Sequence, residues 1–146
     1  MLVENIKNRQ QDLPNKFQKY AFGQDQQGSL PLAIGKKYVV SAIKAVEGVD
    51  FYLIIGDKSE LKGDPWWYPA SLFTTIDDTT PDDWVSVAKN EDSSMTGFKE
   101  LVNDPRGEFY NALEDGEAGA LAVFLKHYEK YARHHSLWYV DGKPAK

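Results

Sequence analysis

Residues 37–55 constrain the fold more than any other part of the chain. In KYVVSAIKAVE (37–47), Tyr38, Val40 and Ala42 alternate against Val39, Ser41 and Ile43. The segment is also rich in β-branched and aromatic residues, so pattern and composition both specify a strand. A short turn at GVD (48–50) leads into FYLII (51–55), five apolar residues in a row. An unbroken apolar run of that length predicts a strand buried on both faces. Together they predict an antiparallel hairpin, 39–43 against 51–55, closed near Gly48 and Asp50.

One hairpin is not a domain, and the rest of the chain must supply its partners. LFTTID (72–77) and DWVSVAK (83–89) are further strand candidates, with Trp84, Ser86 and Ala88 alternating against Val85 and Val87. Four or five short strands joined by tight turns predict a small curled antiparallel sheet or barrel. The flanks read as helical. Leu2, Val3 and Ile6 form a short apolar stripe, Pro14 interrupts it, and Phe17, Tyr20 and Ala21 resume it before the polar linker GQDQQGS (23–29). After NEDSS (90–94) the period changes, and MTGFKELVN predicts one or two helical turns. Asp104 and Pro105 form an N-cap and first-turn pair for a helix through Phe109, Tyr110 and Leu113, ended by Asp115 and Gly116. A longer helix over 117–135 carries the stripe Leu121, Phe124/Leu125, Tyr128, Tyr131/Ala132, with Lys126, Lys130 and Arg133 on its solvated side. The predicted class is α+β, an antiparallel SH3-like sheet or barrel with an N-terminal helical segment and C-terminal helices. The expectation is one domain over 1–146: a helical segment and linker (1–29), a barrel-like part (30–92) and a helical part (93–146).

The stretch GDPWWYPASLF (63–73) concentrates aromatic surface between two prolines. Pro65 and Pro69 cannot donate to a ladder, which places the stretch at an edge or corner. Successive residues of an extended chain face opposite sides, so Trp66 and Trp67 should split, one to the core and one to an exposed position near the downstream acids. Across residues 34–89 the Trp-Trp and Pro-x-x-Tyr/Phe elements resemble those of SH3 domains. That resemblance implies a barrel-like architecture only. The Ala-Leu-Tyr-Asp-Tyr opening is missing and Trp67 lies too near Pro69, so no proline-peptide groove is carried over.

The acids lie just beyond. DDTTPDDW places Asp77, Asp78, Asp82 and Asp83 within seven residues. An EF-hand loop counted from Asp77 would need glycine at position 82 and glutamate at 88; the chain has Asp82 and Ala88, so a calcium loop is rejected. A capping role fits better, with Thr80 as N-cap, Pro81 in the first turn and Asp83 at the capping-box position. The net charge of −5 is concentrated here: residues 57–92 carry nine acids against three lysines. An acidic middle disfavours nucleic acid and favours a basic protein partner.

Catalytic signatures are missing from the sequence. The chain has no cysteine, no GxSxG around its scattered serines, and no Walker or GxGxxG loop. His127 and His134 are seven apart and could share a helix face, but zinc needs further ligands and no HExxH motif supplies them. No metal, cofactor or catalytic residue is therefore expected. Residues 1–11 are polar where a leader peptide would need an apolar run, and the apolar runs are far too short to span a bilayer, so a cytoplasmic protein without membrane contact is expected.

In size, acidity and general character the chain resembles bacterial immunity proteins. The resemblance implies non-enzymatic binding of a cognate toxin, often a basic nuclease, by occlusion. The contacts would be Trp66, Trp67, Tyr68, Asp77, Asp78, Asp82 and Asp83. The alternatives are a small-molecule-binding or hydrolytic protein with a pocket between sheet and C-terminal helices, and a structural subunit of a phage or secretion assembly.

Overall fold

The computed structural model describes residues 1–12, 30–56, 65–135, 139–140 and 143–144. It is an α+β structure with two antiparallel sheets, three helices and a two-residue ladder near the C-terminal end. The strands are β1 (Leu2–Asn5), β2 (Lys37–Val39), β3 (Ala42–Val46), β4 (Val49–Ile55), β5 (Pro65–Pro69), β6 (Phe73–Asp77), β7 (Val85–Asn90), β8 (Ser93–Gly97), β9 (Tyr139–Val140) and β10 (Lys143–Pro144). The helices are α1 (Lys99–Val102), α2 (Glu108–Glu114) and α3 (Ala118–His134). The larger sheet has the order β5-β4-β3-β8-β7 and the smaller β2-β1-β6, while β9 pairs with β10.

The hairpin forms with a shorter turn than the sequence predicts. Val46 pairs with Val49, leaving Glu47 and Gly48 as a two-residue loop with φ of 51° and 79°. Positive φ at both central residues is the type I′ geometry, whose twist matches that of the flanking strands. The predicted first strand is really two. Val40 N–H donates to the Met1 carbonyl in the small sheet, while Ser41 N–H donates to the Leu53 carbonyl in the large one. The chain thus changes sheet between adjacent residues, at a corner where Val40, Ser41 and Ala42 are all fully buried.

The run at 51–55 is two-faced, as its unbroken apolar pattern requires. Phe51 and Leu53 join one core cluster, which gathers Phe98, Leu101, Leu113, Phe124 and Tyr128 from the helical side. Tyr52 and Ile54 join a second, with Val3, Tyr38, Leu72 and Phe73. Helix α3 buries Phe124, Tyr128, Tyr131 and Ala132 as its periodicity predicts, and Lys126, Lys130 and Arg133 are exposed.

Four expectations are corrected. No SH3-like barrel closes: β2 and β6 pair with β1 rather than with the edges of the larger sheet. Residues 2–5 are a strand, not the start of a helix; Leu2 faces one core cluster and Val3 the other, so the apolar pair reports two covered faces. The second helical piece, around Phe17 and Tyr20, lies outside the described residues. Residues 93–97 are a strand between β3 and β7, and the helical period begins only after Phe98. Finally, α2 starts later than the Asp104–Pro105 signal indicates. Gly107, at φ 67°, holds its N-cap position, and the Asp104 carboxylate caps from outside by accepting from Phe109 N–H.

Candidate functional site

The aromatic stretch forms β5, an edge strand of the larger sheet. Its side chains alternate by register with β4: Trp67 opposite Leu53, Trp66 opposite Ile54, Tyr68 opposite Tyr52. The tryptophans therefore split between faces, as an extended chain demands. Trp67 is buried in the helix-facing cluster, where its ring lies 6.0 Å from that of Tyr110 and under the Lys44 ammonium at 4.7 Å. Tyr68 is fully buried and Trp67 is 7% exposed. Trp66 is half-buried and packs against the second cluster, rather than standing clear of the surface.

The acidic loop follows β6. Leu2 pairs with Asp77 but Val3 with Thr75, so Ile76 is an extra residue in the ladder. Such a bulge re-aims the side chains beyond it. Asp77 Oδ1 accepts from Thr79 N–H at 2.9 Å, making a turn, and Trp84 N–H closes a second turn onto the Pro81 carbonyl at 3.2 Å. That single turn replaces the short helix predicted from Thr80 and Pro81. Asp83 is not at a capping position.

Instead the loop is tied to the last turns of α3. Asp83 Oδ2 lies 3.2 Å from Lys130 Nζ and 3.8 Å from His127 Nδ1, and the Tyr131 hydroxyl donates to Oδ1 at 3.4 Å. His127 in turn meets Glu100 Oε1 through Nε2 at 3.1 Å and stacks on Phe98 at 4.6 Å. It is thus a packed bridging residue rather than a solvated one. Trp84 sits behind the loop, its ring edge-on to Tyr131 at 6.0 Å. Burial, reinforced by the Asp83 charge, pushes the Tyr131 hydroxyl above the usual phenol range, so it stays a donor at neutral pH.

At the other end of the loop, Asp77 Oδ2 lies 3.7 Å from His135 Nδ1, and His135 Nε2 is 3.3 Å from the Met1 nitrogen. Thr79, through its N–H and then its hydroxyl, holds the Asp77 carboxyl below the usual carboxylate range, with His135 and the Met1 amine adding to this. Burial, then the Met1 amine and His134, pull the His135 imidazole below its ordinary value against the opposing pull of Asp77. His134 completes a group in which one donor atom each from Asp77, His134 and His135 all lie within 4.8 Å of one another. Between loop and helix is a cavity of about 270 Å³ lined by Thr79, Thr80, Asp82, Lys130, Tyr131 and the two histidines, among others.

Of the seven residues singled out from the sequence, the structure gathers Asp77, Asp82 and Asp83 along α3. Asp78, Asp82 and Asp83 are exposed, Trp66 is half-buried, and Trp67 and Tyr68 belong to the cores. Sequence reasoning passed over His135, Lys130 and Tyr131, and paired His134 with His127 instead of with its neighbour. The available signal was the adjacent His134–His135 pair at a helix end. Among the described residues, no helix is long and apolar enough to cross a membrane. No family model matches the chain, and neither a curated protein nor a solved structure matches it.

Proposed function

We propose that the chain is a protein-binding module that offers the loop at 77–83 as an acidic contact surface to a basic partner, as an immunity-type inhibitor of a basic nuclease would. One observation carries this reading. Asp77 and Asp83 are tied to His135 and to Lys130, His127 and Tyr131, and the loop keeps its carboxylates accessible: Asp78, Asp82 and Asp83 are exposed. The tied pair, Asp77 and Asp83, anchors the loop at both ends, which lowers the ordering cost that a mobile loop adds to binding through Asp78 and Asp82. Two fixed carboxylates beside the chain's most acidic segment attract a cationic cleft built for phosphate and speed encounter with it. Trp67 and Tyr68 are too deeply buried to take part; of the adjacent aromatics, Trp66 retains accessible surface.

A small-molecule site is the second reading, favoured by the cavity between loop and α3. Its roughly 270 Å³ falls just under the range of about 300–1,000 Å³ usual for drug-sized ligands, so it ranks below protein binding.

The test is affinity capture from the native cell with the wild type and with the Asp78→Asn/Asp82→Asn double variant, followed by kinetics on the captured protein. The expected partner is basic. Its association should slow several-fold with the double variant and more so at low salt, while the melting temperature stays within about 0.5 kcal/mol of wild type in stability terms. A partner that binds the double variant as fast as wild type, with no salt dependence, overturns the proposal.

A further inference from the structure

The strongest unassigned cluster is the one between the end of β6 and the end of α3. We propose that Asp77, His134 and His135 form a binding site for a divalent transition-metal ion of the zinc type. The proposal is independent of the protein-binding reading.

The donor set decides the class of metal. Two imidazoles and one carboxylate suit zinc, cobalt or nickel, whereas calcium and magnesium require oxygen-rich shells. The spacing is compatible with one ion. Zinc–nitrogen and zinc–oxygen bonds of about 2.0–2.1 Å place tetrahedral ligands roughly 3.3 Å apart. Asp77 Oδ2 and His135 Nδ1 already stand at 3.7 Å. The three donors lie within 4.8 Å of one another, and His134 is the exposed last residue of α3.

Contacts around two of the three ligands hold them in place. Ligating histidines usually engage their second nitrogen, and ligating carboxylates their second oxygen, in outer hydrogen bonds. His135 Nε2 faces the Met1 nitrogen at 3.3 Å and Nδ1 faces Asp77 at 3.7 Å; with Nδ1 on the metal, the Nε2–H needs an acceptor, a role the Met1 nitrogen fills only as a neutral amine. Asp77 Oδ1 is engaged by Thr79 N–H at 2.9 Å, leaving Oδ2 directed at His135. His134 and His135 stand at the wall of a cavity that is also lined by Thr79, Thr80, Asp82 and Lys130. Three protein ligands beside an open space leave a fourth position for water or a small exogenous ligand, the arrangement of open zinc sites.

The sequence pointed away from this site because its ligands are divided between a strand end and a helix end. The β1–β6 pairing, with its extra residue at Ile76, sets the end of β6 where Asp77 meets His135.

The experiment uses the full chain, first stripped with a chelator. Zn²⁺ is titrated in competition with a chromophoric chelator, and Co²⁺ is followed by visible absorbance. The expected result is one equivalent per chain and the intense visible bands of four-coordinate cobalt. His134→Ala should weaken Zn²⁺ binding by about 100-fold or more and Asp77→Asn by at least about tenfold, while His127→Ala should leave it unchanged. His134 is exposed, so its variant should keep the wild-type melting curve and give an interpretable affinity even where Asp77→Asn loosens the loop. No competition for Zn²⁺ at micromolar metal, or binding that survives His134→Ala combined with His135→Ala, overturns the proposal.

Discussion

Asn5 shows how much one polar side chain can hold. It is fully buried at the end of β1, and its Nδ2 donates to the Lys7 carbonyl at 2.8 Å and the Leu72 carbonyl at 3.0 Å. Leu72 O also accepts from Ile6 N–H at 2.9 Å, so the amide joins the chain after β1 to the turn before β6. Asn5→Ala should cost about 1–3 kcal/mol by urea denaturation, the cost of leaving buried carbonyls short of a donor. Asn5→Asp should cost more at neutral pH, because a buried carboxylate would face two carbonyl oxygens. That variant's carboxyl would have a folded pKa raised above its unfolded value. Its stability should therefore recover as pH falls through that folded pKa, whereas Asn5→Ala should show no such recovery. Equal losses at all pH values for the two variants would mean that the amide N–H groups do not hold this junction.

The turn between β3 and β4 and the helix α3 test the elements. Glu47 sits at φ 51° with no glycine to ease it, a backbone region that costs most side chains about 1 kcal/mol. Asn-Gly is the favoured type I′ pair, so Glu47→Asn should raise stability by about 1 kcal/mol in a urea melt. Phe124 has no exposed surface and meets Phe98 and Tyr128 at ring distances of 6.2 Å; Phe124→Ala should cost about 3–5 kcal/mol in the same melt. An unchanged melt would mean that α3 does not dock through this face. These two elements were legible in the sequence because their signals are local: an unbroken apolar run for β4 and an i, i+3/i+4 stripe for α3. β8 was not, since SSMTG has almost no apolar alternation and becomes a strand because β3 and β7 flank it. β1 was not, since Leu2 and Val3 fit either period and its partners lie far along the chain. The site was half legible. The charge of the loop could be read from the sequence; the attachment of Asp77 and Asp83 to α3 depends on long-range packing that composition does not encode.

At the scale of the whole molecule, the acidic loop is the seam between the β part and α3. Asp83→Asn weakens its ion pair with the exposed Lys130. Exposed pairs of this kind contribute about 0–1 kcal/mol, so the melt should shift little. Hydrogen exchange at the Trp84 amide, which closes the turn onto Pro81, should nevertheless speed up, because the loop loses its tether before the fold loses its core. Exchange unchanged in Asp83→Asn would show that the turn holds the loop without help from α3. The place of β1 sets a different kind of constraint. It lies between β2 and β6, with Leu2 opposite both Val39 and Asp77. During synthesis β1 leaves the ribosome before either partner exists. It gains its first neighbour only after Val39 emerges and its second only after Asp77, so the growing chain must carry a short apolar strand with an open edge through much of its translation. Pairing across such separations is slow, and exposed strand edges invite association with other chains. Synthesis stalled before Asp77 should therefore yield a species more prone to aggregate than the finished protein.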